Sequence, residues 1–414
     1  MDVLFIHNNF PAQFQHLAPF LAKQPGVRVA AIGSRTSRAI EGVRLIKYAM
    51  TGYDTSSSPH PFARRFDLEC HRAEQVLYAL STLASSGFNP DVIIAHPGWG
   101  ETIPVRSIFP LARLIVYCEF FYGGKERDVG FDPEFPAIGA DGNVALQLKN
   151  AATLLALSEC DAGLAPTAWQ RSTFPEVFRD KIDVLHEGID TAAVKPAPDA
   201  SFRLPSGRLL TAKNEVVTFA ARNLEPLRGY HVFMRALPRI MAERPNAEIV
   251  IIGGYGTSYG APPPRGMTWK SIFLDEVAAQ IDISRVHFCG HLPYQDYLRA
   301  LQISSAHIYL TYPFTLSWSL LEAMSAGCLM IGSDTAPLRD VIDQHNGMLV
   351  PFFDVEKLAD CIVDVLAHPD RFHDMRLAAR RTIVAKYDLA QKCLPALSEF
   401  VQRRKLPRLF DKAG

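Results

Sequence analysis

The span from Tyr309 to Gly332 constrains this chain more than any other, because it reads as a strand, a tight loop, a helix and a second strand in quick succession. Ile308 to Leu310 is an apolar strand and Pro313 interrupts it. Leu316, Leu320, Leu321 and Met324 then recur at helical spacing until Gly327 stops the turn. Such a unit is half of a doubly wound parallel sheet. In that architecture ligands sit outside the carboxyl ends of the strands, where the first amides of the next helix point at an anion. The loop is therefore expected to aim the N–H groups of Leu316, Ser317, Trp318 and Ser319 at one spot, with the carboxylate of Glu322 about a turn further on. A phosphate with a pair of hydroxyls beside it describes a nucleotide.

At 414 residues the chain is too long for one ordinary core, and 48% hydrophobic residues with modest charge describe two packed domains. Lys plus Arg equals Asp plus Glu at 43 each, which leaves no basic field for a polynucleotide, so nucleic acid is not an expected partner. The seven cysteines are scattered and never in CxxC spacing, as in a cytoplasmic protein with reduced core thiols rather than a disulfide frame or zinc site. The N-terminus reads as a first strand and not a signal peptide. No apolar run approaches the roughly 18 residues of a transmembrane span; the best is broken by Arg106, Pro110 and Arg113.

In the first half, Val3 to Ile6 is a buried-strand run and Pro11 is expected to open a helix carrying Phe14, Leu17, Ala18 and Leu21. The loop between them offers Asn8, Asn9 and Gln13 for hydroxyl recognition, or simply turn chemistry. Further strands follow at Val27 to Ile32 and Val43 to Lys47, then a long helical run to Ser85. Val92 to Ala95 ends in HPGWGE, which places His96 at a strand's carboxyl end, and Leu114 to Cys118 ends in Glu119. The loop 125–143 contains Asp128, Asp132 and Glu134, but their spacing matches no ion-binding loop, so a solvated lid without metal is expected. Strands near Leu164 and at Ile182 to Leu185 complete six or seven parallel strands.

The segment 192–214, with Pro196, Pro198, Pro205 and Gly207, reads as a linker. The strand Val216 to Ala221 then ends in Arg222, and Arg228 follows ahead of Gly229 and a helix. Two guanidiniums at the end of a domain's first strand are what a diphosphate calls for. The glycine-rich stretch 253–266 contains no dinucleotide fingerprint and reads as a lid or an insertion.

The order ARNLEPLRG, IVIIGG, VHFCGHLP, YPFTLSWSLLEAM, GSDTAPLRDVI and NGMLVP, preceded by HEGID, resembles glycosyltransferase family 4, the retaining nucleotide-sugar transferases. The resemblance implies an α/β GT-B fold: two Rossmann-like parallel-sheet domains, facing a central cleft, with a helical C-terminal segment. It places an acceptor-side domain at 1–195, a nucleotide-sugar domain at 196–387, and a C-terminal helix and tail at 388–414 that packs back on the first domain.

By that resemblance Arg222 matches the arginine on the donor diphosphate and Arg228 stands in for a lysine. His96 and Glu119 are the catalytic candidates of the first domain. Glu322 matches the second glutamate of the E-x7-E motif, on the ribose hydroxyls. Phe314 occupies the place of the first glutamate, which contacts the donor sugar. Thr315, Leu316, Ser317, Trp318, Ser319, Gly254, Gly290 and Leu292 complete the expected donor site, and Asn8, Asn9 and Gln13 the acceptor site. The implied partners are a nucleoside-diphosphate sugar, as substrate rather than cofactor, and a hydroxyl acceptor, which is a saccharide, a small molecule or a lipid-linked molecule reached by peripheral membrane contact. No metal is expected. The departure at Phe314 keeps two alternatives open, a nucleotide-sugar-binding pseudoenzyme and a nucleotide-sugar epimerase.

Overall fold

The computed structural model describes residues 1–50, 59–125, 127–136 and 138–403. They form two compact units: Met1–Gly188 together with the chain from Ala390, and Ile189–Leu389. The first crossing falls inside HEGID, at Gly188, whose φ of 93° suits a residue without a side chain.

Seven parallel strands build the first unit: β1 (Asp2–Ile6), β2 (Arg28–Ser34), β3 (Val43–Tyr48), β4 (Val92–Ala95), β5 (Arg113–Tyr117), β6 (Ala162–Ala165) and β7 (Ile182–Val184), in the order β3-β2-β1-β4-β5-β6-β7. Their continuous apolar runs follow from burial on both faces. One face packs Leu4, Ile6 and Ile93 against Val76, Leu80 and Leu83 of the helix Arg64–Ser85. The other packs Val3 and Phe5 against Phe14, Leu17 and Leu21, joined by Leu397, Phe400 and Val401 of the helix Leu394–Gln402. Arg113 fixes that last helix by donating from Nη1 to the carbonyls of Phe400 at 2.7 Å and Val401 at 3.0 Å.

Three local expectations differ from the structure. Pro11 does not open one continuous helix: Ala12 has a φ of 40°, which no right-handed helix accommodates, so a short turn Ala12–Phe14 precedes the helix Leu17–Ala22. The stretch around Asp128 is not simply solvated. Arg127 donates to the carbonyls of Phe121 and Thr173, Asp132 is 4% exposed, and burial pushes the Asp128 carboxyl up to about 6. Third, 192–214 is not a bare linker. Its β8 (Ser201–Arg203) and β9 (Leu209–Thr211) form an antiparallel hairpin that buries Phe202, Leu204 and Leu210 with Val216 and Val250 in the second unit.

The second unit carries β10 (Glu215–Asn223), β11 (Ala247–Gly254), β12 (Val286–Gly290), β13 (Ala306–Tyr309), β14 (Met330–Ser333) and β15 (Met348–Val350), all parallel, in the order β12-β11-β10-β13-β14-β15. In each sheet the strand order reverses once, between β1 and β4 and between β10 and β13. Those are the switch points where a doubly wound sheet opens to ligands. All seven cysteines are free, and no helix among the described residues is long and apolar enough to cross a membrane.

Candidate functional site

At the second unit's switch point, β10 delivers Arg222 and the turn Pro226–Arg228 delivers Arg228. The turn closes on Gly229 at a φ of 68°. A Cβ there would stand 2.2 Å from Leu310 Cβ, so only glycine lets this turn lie against the chain leaving β13. Arg228 Nη1 donates to Thr311 Oγ1 at 2.9 Å, to the Thr315 carbonyl at 3.1 Å and more distantly to Tyr309 Oη at 3.4 Å. Thr311 is itself fixed by Ser333, which accepts from its N–H at 3.0 Å and donates to its carbonyl at 3.1 Å. Arg222 is exposed. Both guanidiniums lie over the ring of Tyr259, at 5.7 and 5.9 Å from its centroid, and Arg228 is 5.7 Å from Phe314. Among the described residues no carboxylate forms an ion pair with either arginine.

The loop after β13 is more self-satisfied than its sequence implies. Ser317 N–H donates to Tyr309 Oη at 2.7 Å, and Ser319 N–H to Ser317 Oγ at 3.3 Å in an N-cap of the helix Trp318–Ala326. Two of the four amides expected to face an anion are therefore engaged within the loop. The Leu316 and Trp318 side chains pack on the apolar cluster around Leu320 and Leu321. Phe314 is 3% exposed, with its ring 5.1 Å from that of Tyr259.

Glu322 accepts from Tyr294 Oη at 2.7 Å, and burial raises its carboxyl above the ordinary range. Gly254 and Gly290 end β11 and β12. A Cβ on Gly254 would sit 2.4 Å from His291 Nε2 and 2.5 Å from Asn223 Oδ1. The half-buried side chain of Leu292 packs against the cluster of Phe202 and Val250. The structure thus groups Arg222, Arg228, Phe314 and Thr315 closely and sets Glu322 with Tyr294.

At the first unit's switch point the rings of His7 and His96 meet at 5.2 Å, with Trp99 against both at 5.1 and 4.5 Å. His96 Nδ1 accepts from Gly98 N–H at 3.1 Å, so the imidazole proton sits on Nε2, 3.2 Å from Glu119 Oε2. Gln13 Nε2 donates to the other Glu119 oxygen at 3.0 Å. The structure therefore brings His96, Glu119 and Gln13 into one chain of contacts. His7 Nδ1 accepts from Asn9 N–H at 2.9 Å, and burial together with the neighbouring His96 holds its pKa well below the usual value. The Asn9 carbonyl accepts from Thr36 at 2.8 Å and that of Asn8 from Tyr48 at 3.1 Å, which leaves their NH2 groups as donors. Tyr48 also reaches the fully buried Glu101 at 2.8 Å, whose carboxyl burial raises.

Several of these groups escape a reading of the sequence. Tyr259, Tyr294 and Thr311 carry no motif, and only the approach of separate loops gives them a place. His7 does have a signal, since it directly follows β1.

Known proteins divide the chain as the fold does. Residues 25–194 match the description "Glycosyl transferase family 4 group" and residues 214–368 match "Glycosyl transferases group 1". A protein of Nocardia farcinica named D-inositol 3-phosphate glycosyltransferase is 28% identical over 54% of this chain and 49% of its own length. One of the same name from Mycobacteroides abscessus is 30% identical over 45% and 39%. The chain spans about half the length or less of these curated relatives. Among solved structures, sucrose-phosphate synthase from Thermosynechococcus elongatus superposes with a TM-score of 0.71 at 16% identity, covering 97% of this chain and 98% of that one. Anabaena HepE, solved with UDP and glucose, gives 0.65 at 15% identity over 97% and 99%. Likenesses at that identity concern the fold, which is GT-B. With a family description matched to each of its two sheets, the chain belongs to the family 4 group of glycosyltransferases.

Proposed function

We propose that this chain transfers a sugar from a nucleoside-diphosphate donor to a hydroxyl acceptor, with retention at the anomeric carbon and without a metal ion. The observation that carries the reading is the pair Arg222 and Arg228: permanently charged groups, free of carboxylate ion pairs among the described residues, beside a helix N-terminus at a switch point. As the bond between anomeric carbon and diphosphate breaks, negative charge grows on the leaving group, and fixed cations there stabilise the transition state. Guanidiniums do this without a divalent ion. Glu322, oriented by Tyr294, suits the ribose hydroxyls. The second unit would hold the nucleotide sugar. The first would hold the acceptor, through the donor groups of Asn8 and Asn9 and the Gln13–Glu119–His96 chain.

The names of the relatives make inositol phosphates and phosphatidylinositol-type lipids the first acceptors to try. Those of the structural neighbours and relatives make UDP-glucose and GDP-mannose the first donors. The free cysteines fit the reducing cytoplasm.

One observation favours a second reading, nucleotide-sugar binding without transfer, or epimerisation: the buried ring of Phe314 stands where the family resemblance puts a carboxylate. Incubation with a panel of nucleotide sugars and acceptors, with and without EDTA, separates the readings by product. An α-linked product from an α-linked donor, formed equally in EDTA, is the expected result. Binding with no product, an epimerised donor, or activity abolished by EDTA and restored by magnesium would each contradict it.

A further inference from the structure

We infer that Tyr259 is a further donor-binding residue and that Glu225 is the group that positions it. The inference rests on the second unit being a nucleotide-sugar site, and it concerns two residues that the family resemblance leaves without a role.

Glu225 is 1% exposed and makes no ion pair with a cation among the described residues. Its carboxylate oxygens accept instead from three successive amides of the glycine-rich loop after β11: Ser258 at 3.3 and 3.2 Å, Tyr259 at 3.4 Å and Gly260 at 3.2 Å. A run of backbone N–H groups closing on one anion is a nest, and bonds to a charged acceptor are the strong ones. An apolar side chain would fill this space without the desolvation that burying a carboxylate costs, so the charge has a purpose in gripping the loop. Asn223 adds to the grip. Its Oδ1 accepts from Gly256 N–H at 3.2 Å and its Nδ2 donates to Ser258 Oγ at 2.6 Å. On the far side Trp269 Nε1 donates to the Ala261 carbonyl at 3.0 Å.

The loop is thus fastened on both sides of Tyr259, and the ring lands beside both guanidiniums and Phe314. It lies 5.7 Å from the Arg222 guanidinium, 5.9 Å from that of Arg228, and 5.1 Å from the Phe314 ring. Within ARNLEPLRG the labour is divided: Arg222 and Arg228 meet the ligand, while Asn223 and Glu225 hold the loop. An aromatic ring shared by two cations holds them near one another before any phosphate arrives, and that pre-organisation raises affinity by lowering the ordering cost of binding. At 44% exposure Tyr259 also keeps part of its surface open to the ligand.

The test is calorimetric titration of the full chain with UDP and GDP, alongside kcat and KM for whichever nucleotide sugar is turned over. Tyr259→Leu is expected to raise the nucleoside-diphosphate Kd by about five- to thirty-fold, and Tyr259→Phe, which keeps the ring, to recover most of the loss. Glu225→Gln, and more weakly Asn223→Ala, should move Kd and KM in the same direction. Each should add nothing when combined with Tyr259→Leu, because both act through the ring. Fully additive effects would make Glu225 merely structural and overturn its role. Should Glu225→Gln not fold, the Asn223→Ala and Tyr259→Leu pair answers the same question. Wild type that binds with Tyr259→Leu binding equally well overturns this inference and leaves the donor site standing, whereas wild type that binds no nucleoside diphosphate overturns both.

Discussion

Between β1 and β4 the first unit presents two histidines, a tryptophan and the carboxylate of Glu119, a site of neutral rings and hydrogen-bonding groups around one carboxylate. Between β10 and β13 the second unit presents two guanidiniums and a helix N-terminus, a site whose charge does not change near neutral pH. The backbone problem is the same in both: parallel strands splay apart where the order reverses. What differs is the residue that each strand delivers at its end. His7 and His96 directly follow β1 and β4, Arg222 stands one residue before the end of β10, and the turn after it supplies Arg228. A fixed positive site suits a diphosphate, and a proton-bearing, hydrogen-bonding site suits a hydroxyl. On the proposed function, one fold used twice would separate charge stabilisation from acceptor recognition.

The largest expected effect would break that comparison on the second unit's side. Arg222→Ala and Arg228→Ala should each lower turnover by roughly 10² or more, as removal of a charge-stabilising donor does. Arg228→Ala should also lower Tm, since it strips Thr311 Oγ1 and the Thr315 carbonyl of a donor; Arg222→Ala should not. Steady-state kinetics and thermal melts read the two apart. Next in size, Glu322→Gln should weaken nucleoside-diphosphate binding by about 1.5 to 3 kcal/mol, the range for a hydrogen bond to a charged group. Tyr294→Phe should cost less, because it removes only the hydroxyl that orients the carboxylate. If calorimetry shows Glu322→Gln binding like wild type, the ribose lies elsewhere.

On the first unit's side, His96→Gln should lower kcat by roughly 10²-fold, at the foot of the range for removing a positioned proton-transfer group. Nucleotide Kd should stay unchanged; a parallel rise in Kd would merge the two sites that the comparison separates. The smallest effect is on stability in acid. Burial keeps His7 neutral in the folded protein at pH values where the unfolded chain takes up a proton, so its contribution is lost as pH falls below about 6.5. Urea melts should show stability declining there, by on the order of 1 kcal/mol per pH unit for one such proton. Glu101 works in the opposite sense, because its raised carboxyl costs stability as pH rises past about 4.5. His7→Gln should flatten the slope between about pH 5 and 6.5, and an unchanged slope would assign it to other groups.

Much of this was legible in the sequence because parallel strands buried on both faces read as continuous apolar runs, and their ends are marked by the first polar residues. Arg222, His96 and Glu119 could be placed at strand ends for that reason. The hairpin of β8 and β9 was not legible, since strands of three residues among prolines and glycines carry no period. Nor was the engagement of the Ser317 amide, because its acceptor, Tyr309 Oη, lies across the loop rather than along it. The strand end at Glu119 showed where that carboxylate sits but not that Gln13 and His96 share it, contacts made only when three loops converge. Burial also makes Phe314→Ala a poor probe of the departure at that position. It would open a cavity at a 3% exposed ring and cost about 3 to 5 kcal/mol, whereas Phe314→Leu keeps most of the volume and reports on donor choice.

The central claim, that the second unit's switch point is a nucleoside-diphosphate site built on two guanidiniums, is tested most directly by titrating the full chain with UDP and GDP in EDTA. Wild type and the Arg222→Ala/Arg228→Ala double variant should be compared, with the variant's fold verified by circular dichroism. The account predicts saturable binding of at least one nucleotide by wild type, and a loss on the order of 10²-fold or more in the double variant, in line with two charge-assisted contacts removed. Equal binding by a folded double variant, or binding that requires a divalent ion, would contradict it.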